Sequence, residues 1–335
     1  GTNGIGTALK TGKPAYVHAT EHFAEGGQAW TCAGAPIFAD RSIAPREAFD
    51  VVLEVDATDL PPGEVTDEIA FLSDAVNTGK LHHAVIFEGE RGIGKATAAF
   101  QLANRLLLPA RDLGAPIGAI DPESSTFRQI AQGSHPGLLY LTRPKNDAGT
   151  GFKQAITVDE IRRLQRFFSM TAAGPDSYRV VIIDPVNDLN RNAANALLKL
   201  LEEPPARSVF ILIAHGTGGL LPTIRSRCQI LKFSPLANGE IGRVLTEQIG
   251  AEDEAAIARA ASLGGGSARR ALLFAQFGGL ELEEALDAFL GAARPDTRSA
   301  HKLAEIAGNR KSDVHRDILR ELVLDPLLRE GRDDE

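Results

Sequence analysis

The run Gly89-Glu-Arg-Gly-Ile-Gly-Lys95 can bind an anion. Gly89, Gly92 and Gly94 let backbone N–H groups wrap a phosphate, and Lys95 adds an ammonium that reaches its terminal oxygens. The spacing is G-x-x-x-x-G-K, but Ala96 stands where Ser or Thr is expected. The missing hydroxyl removes the usual Mg²⁺ ligand. Thr97 does not simply replace it, because one step along a helix turns the side chain by about 100°. A carboxylate, Asp184, closes the apolar run Val180-Val-Ile-Ile183, and Pro185 follows it with no proton acceptor. A second apolar run, Val209–Ile213, leads to Ala214. Nucleotide hydrolysis needs a base, a metal ligand and orienting groups. Arg227, in Leu221-Pro-Thr-Ile-Arg-Ser-Arg-Cys228, is a further candidate, because a guanidinium stays charged and can spread donors over phosphoryl oxygens.

These residues need strands and helices to place them. Ala84–Phe87, the run ending at Leu141, Val180–Ile183 and Val209–Ile213 read as buried strands of a parallel sheet. A helix begins at Lys95. Helices are also expected over 68–76, over 156–168 and from Asn190 to the stop at Pro204-Pro205. Arg162, Arg163 and Arg166 lie along the second of these, as phosphate contacts or as a solvated face. His135 precedes Pro136 and reads as a turn residue. After Pro235 the pattern is helical throughout. Ser267 is the expected N-cap of a helix with Arg269 and Arg270 in its first turn.

The chain has 335 residues, 43% hydrophobic and 24% charged, with net charge −8. That composition suits a soluble globular chain of two or three domains and excludes a generally basic nucleic-acid binder. The two cysteines, Cys32 and Cys228, are far apart, which argues against a disulfide framework or a zinc site and fits the cytoplasm. His18, Glu21 and His22 have no further ligand cluster beside them. No run approaches the roughly 18 apolar residues of a membrane span.

Several motifs together resemble the AAA+ clamp-loader subunits of bacterial DNA polymerase III, the delta-prime members above all. They are His82-His-Ala84, the glycine loop, His135-Pro-Gly137, Asn195-Ala-Leu-Leu-Lys-Leu-Leu-Glu-Glu-Pro-Pro205 and Ser226-Arg-Cys228. The resemblance spans residues 66 to 325. It implies an α/β fold: an AAA+ phosphate-loop parallel sheet with helices on both faces over 66–235, a small helical lid over 236–278, and an all-α collar segment over 279–335. It further implies that Arg227 is an arginine finger reaching ATP on an adjacent subunit; the alternative is that Arg227 pairs with a local carboxylate and packs the loop. Gly89, Gly92, Gly94, Lys95, Ala96, Thr97, Asp184 and Arg269 would line the chain's own nucleotide site, Arg269 as the sensor-2 arginine. In active members of the resembled family a base follows the Asp184 position and a polar group that orients water stands at the Ala214 position, so Ala96, Pro185 and Ala214 are read as three losses in one site. ATP binding there is expected to be weak or absent, with Mg²⁺ only if nucleotide binds.

The implied role is a non-hydrolysing scaffold subunit that supports loading of the sliding clamp on DNA. Its partners would be the gamma/tau-type motor and delta subunits, with the clamp and primer-template DNA met through the complex. Two alternatives stay open: an active motor-type ATPase, and a GAF-controlled transcription activator. The second arises because residues 1–45 resemble the later part of a GAF sensor domain, joined by a linker over 46–65. Nucleotide binding, the role of residues 1–45 and the subunit order are left open. The opening Gly and the short collar lead us to expect a fragment or a trimmed chain.

Overall fold

The apolar runs assemble into one parallel sheet. A computed structural model of the chain describes residues 30–32, 35–37, 67–108, 117, 121, 123–144, 152–170, 177–216, 220–250, 253–290 and 297–307. Of residues 1–45 it describes only the backbone of an antiparallel hairpin, β1 (Trp30–Cys32) and β2 (Ala35–Ile37). The GAF-like pattern otherwise lies outside the described residues, as do the linker and residues 308–335 of the collar segment. The sheet strands are β3 (Ala84–Gly89), β4 (Leu138–Leu141), β5 (Arg179–Ile183), β6 (Ser208–His215) and β7 (Gln229–Lys232). They lie in the order β4-β5-β6-β3-β7, all parallel.

Side chains alternate across a strand, so each strand feeds two cores. Val85, Phe87, Val180, Ile182, Val209, Ile211 and Ile213 face α1 (Asp67–Asn77), α2 (Lys95–Leu107) and α3 (Ser125–Ala131). Ile86, Val181, Ile183, Phe210, Leu212 and Ala214 face α4 (Val158–Ser169), α5 (Arg191–Glu202) and the short α6 (Pro222–Arg225). The expected layering, helices on both faces of a parallel sheet, is therefore observed. The Asn190 side chain caps α5 by accepting the Ala193 N–H at 2.8 Å. The helix stops at Glu202, just ahead of Pro204-Pro205.

Contacts divide the chain into two compact units between Ser234 and Pro235. The described residues of the second unit form α7 (Asn238–Ile249), α8 (Glu254–Gly264), α9 (Ala268–Gln276), α10 (Gly279–Leu290) and α11 (Thr297–Ala307). Gly264 lets α8 and α9 meet closely: a Cβ there would lie 2.9 Å from the Ala271 Cβ. Arg259 joins α8 to α10 through Glu284 at 2.7 Å and through Glu283.

In the first unit, Arg179 ties β5 to the end of α4. Its guanidinium donates to the carbonyls of Phe167 (3.4 Å), Phe168 and Met170. These carbonyls have no partner inside the helix, and the helix C-terminus attracts a cation. Arg179→Ala is expected to lower stability by about 1.5–3 kcal/mol. The check is a fall in the urea midpoint with the slope m unchanged.

Candidate functional site

The register of β3 against β6 builds the site. Gly89 pairs with His215, so the last residue of β3 and that of β6 lie side by side. From there the chain diverges: α2 leaves β3 on one face, and α6 follows β6 on the other. In parallel α/β sheets, such divergence at the C-terminal strand ends opens a crevice for ligand.

The glycine loop occupies this crevice. A Cβ on Gly89 would meet the Phe233 carbonyl oxygen at 2.6 Å and Ile93 Cδ1 at 2.7 Å, so no larger residue fits. Gly94 forms the N-cap of α2 at φ +93°, a conformation that favours glycine. Lys95 is buried, 3% exposed, and its Nζ donates to the carbonyls of Gly89 (2.8 Å) and Glu90. Ala96 packs its methyl against the core on the α2 face. Thr97 is buried, and among the described residues its hydroxyl has no hydrogen-bond partner. The loop therefore fits phosphate groups, whereas Ala96 offers a metal no oxygen.

Asp184 continues β5 into the same crevice and is 4% exposed. Tyr140 donates its hydroxyl to Asp184 Oδ2 at 3.3 Å, and His215 Nε2 lies 3.9 Å from Oδ1. This corrects one sequence expectation. Strand β6 runs two residues beyond Ile213, so Ala214 faces the core with Phe210 and Leu212. A polar side chain from β6 beside Asp184 is that of His215, one residue later, whose backbone N–H donates to Asn187 Oδ1 at 2.9 Å. Alternation along the strand could have found it, had the strand end been placed correctly. After Pro185, the turn Val186–Asp188 carries Asp188, which Arg143 pairs at 2.9 Å. Burial holds the Asp188 carboxyl above the usual carboxylate range, against the opposing pull of Arg143 and of Arg91 in the glycine loop.

Two arginines of the α6 segment meet carboxylates. Arg225 pairs with Glu88, the residue before Gly89. Glu88 is 4% exposed and the Arg225 side chain 30%. Arg227 Nη2 lies 2.7 Å from Glu202 Oε1 at the end of α5. Its Nη1 donates to the Thr223 carbonyl at 2.9 Å and to Ser226 Oγ at 3.3 Å. The sequence reading kept a carboxylate partner for Arg227 as an alternative but singled out neither Glu202 nor Glu88. Beside Arg227, burial pushes the Cys228 thiol up to about 12.

Arg269 stands in the first turn of α9 in the second unit, where Ser267 Oγ accepts the Arg270 N–H at 3.2 Å. His135 Nδ1 accepts the Gly137 N–H at 3.0 Å in the expected turn, and burial lowers its pKa. Arg162 and Arg163 pair with Asp159 (2.6 Å) and Glu160 (2.5 Å) on their own helix, and Arg166 is exposed. Among the described residues no three His, Cys, Asp or Glu side chains cluster to hold a metal, and no helix is long and apolar enough to cross a membrane.

The family model described as DNA polymerase III, delta subunit, matches residues 65–237. That range contains the glycine loop, Asp184 and Arg227. The chain belongs to the DNA polymerase III delta subunit family. A separate model, the N-terminal domain of MimR, matches residues 1–56 of this family member. Among curated relatives, DNA polymerase III subunit delta' of Bacillus subtilis is 37% identical over 180 residues, 53% of this chain and 50% of the relative. DNA polymerase III subunit tau of Escherichia coli is 32% identical over 205 residues, 60% of this chain and 30% of the relative. The chain thus spans half the length of the first and less of the second. A solved gamma subunit-related protein of Thermotoga maritima has 18% identity and a TM-score of 0.40, over 77% of this chain and 78% of that one.

In this delta-family chain the Glu88–Arg225 pair joins the strand feeding the glycine loop to the segment carrying Arg227. Removing one partner of such a pair leaves the other charge poorly solvated. Because Arg225 is partly exposed, we expect Arg225→Ala to cost about 2–4 kcal/mol, with Arg225→Ala/Glu88→Leu recovering much of the loss. Thermal unfolding of the single and double variants checks this.

Proposed function

We propose that the chain is a non-hydrolysing clamp-loader subunit that supplies Arg227 to the ATP site of a neighbouring subunit. One observation carries the reading: the glycine loop and Asp184 lie at the same end of the sheet, linked through His215, with Ala96 and Pro185 at the positions expected to supply a metal ligand and a base. Gly92, Gly94 and Lys95 would hold the phosphates of ATP, with Asp184 beside them. Lys95 would have to leave the carbonyls of Gly89 and Glu90 to do so, which weakens binding. Mg²⁺ would enter only with the nucleotide. The partners are a gamma/tau-type motor subunit and a delta subunit, with the sliding clamp and primer-template DNA met through the complex. The tau and delta' names of the relatives support this assignment.

A second reading, an active motor-type ATPase, has one observation in its favour. His215 supplies a polar group beside Asp184, so only two of the three expected losses remain. A histidine that orients water still leaves the metal ligand and the base at Asp184-Pro185 wanting.

The isolated chain is expected to show no steady ATP turnover in a phosphate-release assay. Turnover abolished by Lys95→Ala would establish the second reading instead. A finger supplied in trans is worth about 10³–10⁵ in rate at the site it serves. In a complex reconstituted with motor and delta subunits, Arg227→Ala should therefore leave assembly intact and lower DNA-stimulated ATP turnover and clamp loading. Total turnover should fall less than the single-site figure, because other motor sites keep their own fingers. Loading at the unmutated rate would reduce Ser226-Arg-Cys228 to a structural role.

A further inference from the structure

The carboxylate facing Arg227 has no place in the reading above. Glu202 is the last residue of α5, where a helix C-terminus disfavours negative charge. Two acids stand there, Glu202 and Glu203, ahead of Pro204. The ion pair of Glu202 with Arg227 at 2.7 Å offsets that penalty. Both partners are partly exposed, 48% and 37%, so the pair contributes little to stability. Its consequence is geometric.

Three contacts fix the guanidinium. Nη1 is held by the Thr223 carbonyl and Ser226 Oγ, which belong to the same short segment as Arg227, and these contacts move with that segment. Among the described residues only Glu202 holds the guanidinium from a different element. The segment is anchored elsewhere, by Arg225 on buried Glu88 and by Ile224 in the core. With that backbone fixed, the remaining freedom of Arg227 is side-chain rotation, and Glu202 restricts it. Among the described residues the Nε–H of Arg227 has no hydrogen-bond partner, so this donor is unengaged while Nη1 and Nη2 are held.

We propose that Glu202 is the positioning residue of Arg227: by holding Nη2 from a different element, it keeps the guanidinium in a fixed orientation. This rests on the trans-finger reading. A long arginine side chain loses rotamer freedom when it docks on a phosphoryl group, and a chain already ordered loses less. Glu202 itself touches no nucleotide in this scheme.

The test uses the reconstituted complex with Glu202→Gln, Arg227→Ala and the double variant. Glu202→Gln is expected to lower kcat for DNA-stimulated hydrolysis at the finger-served site by roughly 2- to 5-fold, the rate equivalent of an exposed ion pair, with KM for ATP unchanged. The double variant should be no slower than Arg227→Ala alone, because Glu202 acts through Arg227. The isolated Glu202→Gln chain should melt within about 2 °C of the unmutated protein, since surface changes alter stability little. Unchanged or raised kcat in Glu202→Gln, with Arg227→Ala still defective, overturns the positioning role and leaves the finger standing. Losses that multiply in the double variant also overturn it. No effect of Arg227→Ala removes the finger reading, and this inference with it.

Discussion

The parallel pairing of β3 with β6 is the constraint on which the rest depends. Its register runs from Ala84 opposite Phe210 to Gly89 opposite His215. A slip of one residue would turn every side chain of a strand to the other face. Phe210 and Leu212 would then leave the α5 core, and Ile211 and Ile213 the α2 core. Because both faces are buried and differently shaped, the register is strongly specified. The same register sets the height of the glycine loop against the end of β6. Phe233 closes the arrangement from β7: its N–H donates to the Glu88 carbonyl at 2.8 Å, while its own carbonyl crowds Gly89.

The sheet was largely legible in the sequence because its strands are uninterrupted apolar runs, such as Val180–Ile183. Such runs have one natural reading when a helical segment separates them. The glycine loop was legible for a different reason: its residue types are needed for backbone geometry, and that need leaves a fixed spacing. What could not be read were relations between residues far apart in the chain. Glu88 and Arg225 are 137 positions apart, and neither type is unusual at a strand end or in a surface turn. Glu202 looked like one of two acids before a proline stop. Its partner is set by how α5 and α6 pack, which periodicity does not encode. The misplaced orienting group had a local cause. Strand ends are the least certain part of a periodic reading, and two extra residues of β6 turned Ala214 inward and brought His215 to Asp184.

The substitutions at the crevice affect chemistry more than folding. Ala96 keeps the helix propensity of α2 and adds a methyl to its core. Pro185 heads the short turn Val186–Asp188, where it displaces no sheet hydrogen bond. Lys95 is buried and satisfied by two loop carbonyls, which close the loop on an internal cation.

That logic separates two demands within a single domain. The glycine loop and β3 make a rigid floor, and the Glu88–Arg225 pair transmits that rigidity to the α6 segment. The pair is costly to desolvate and has no obvious advantage over an apolar contact in stability alone. An apolar contact at that position would also leave the segment free to slide along the sheet end, since dispersion is not directional. An ion pair to a buried carboxylate fixes both distance and direction. The carboxylate lies directly before Gly89, so the segment carrying Arg227 is registered against the chain's own phosphate loop. The α6 segment is in this way tied to the same strand end that carries the glycine loop.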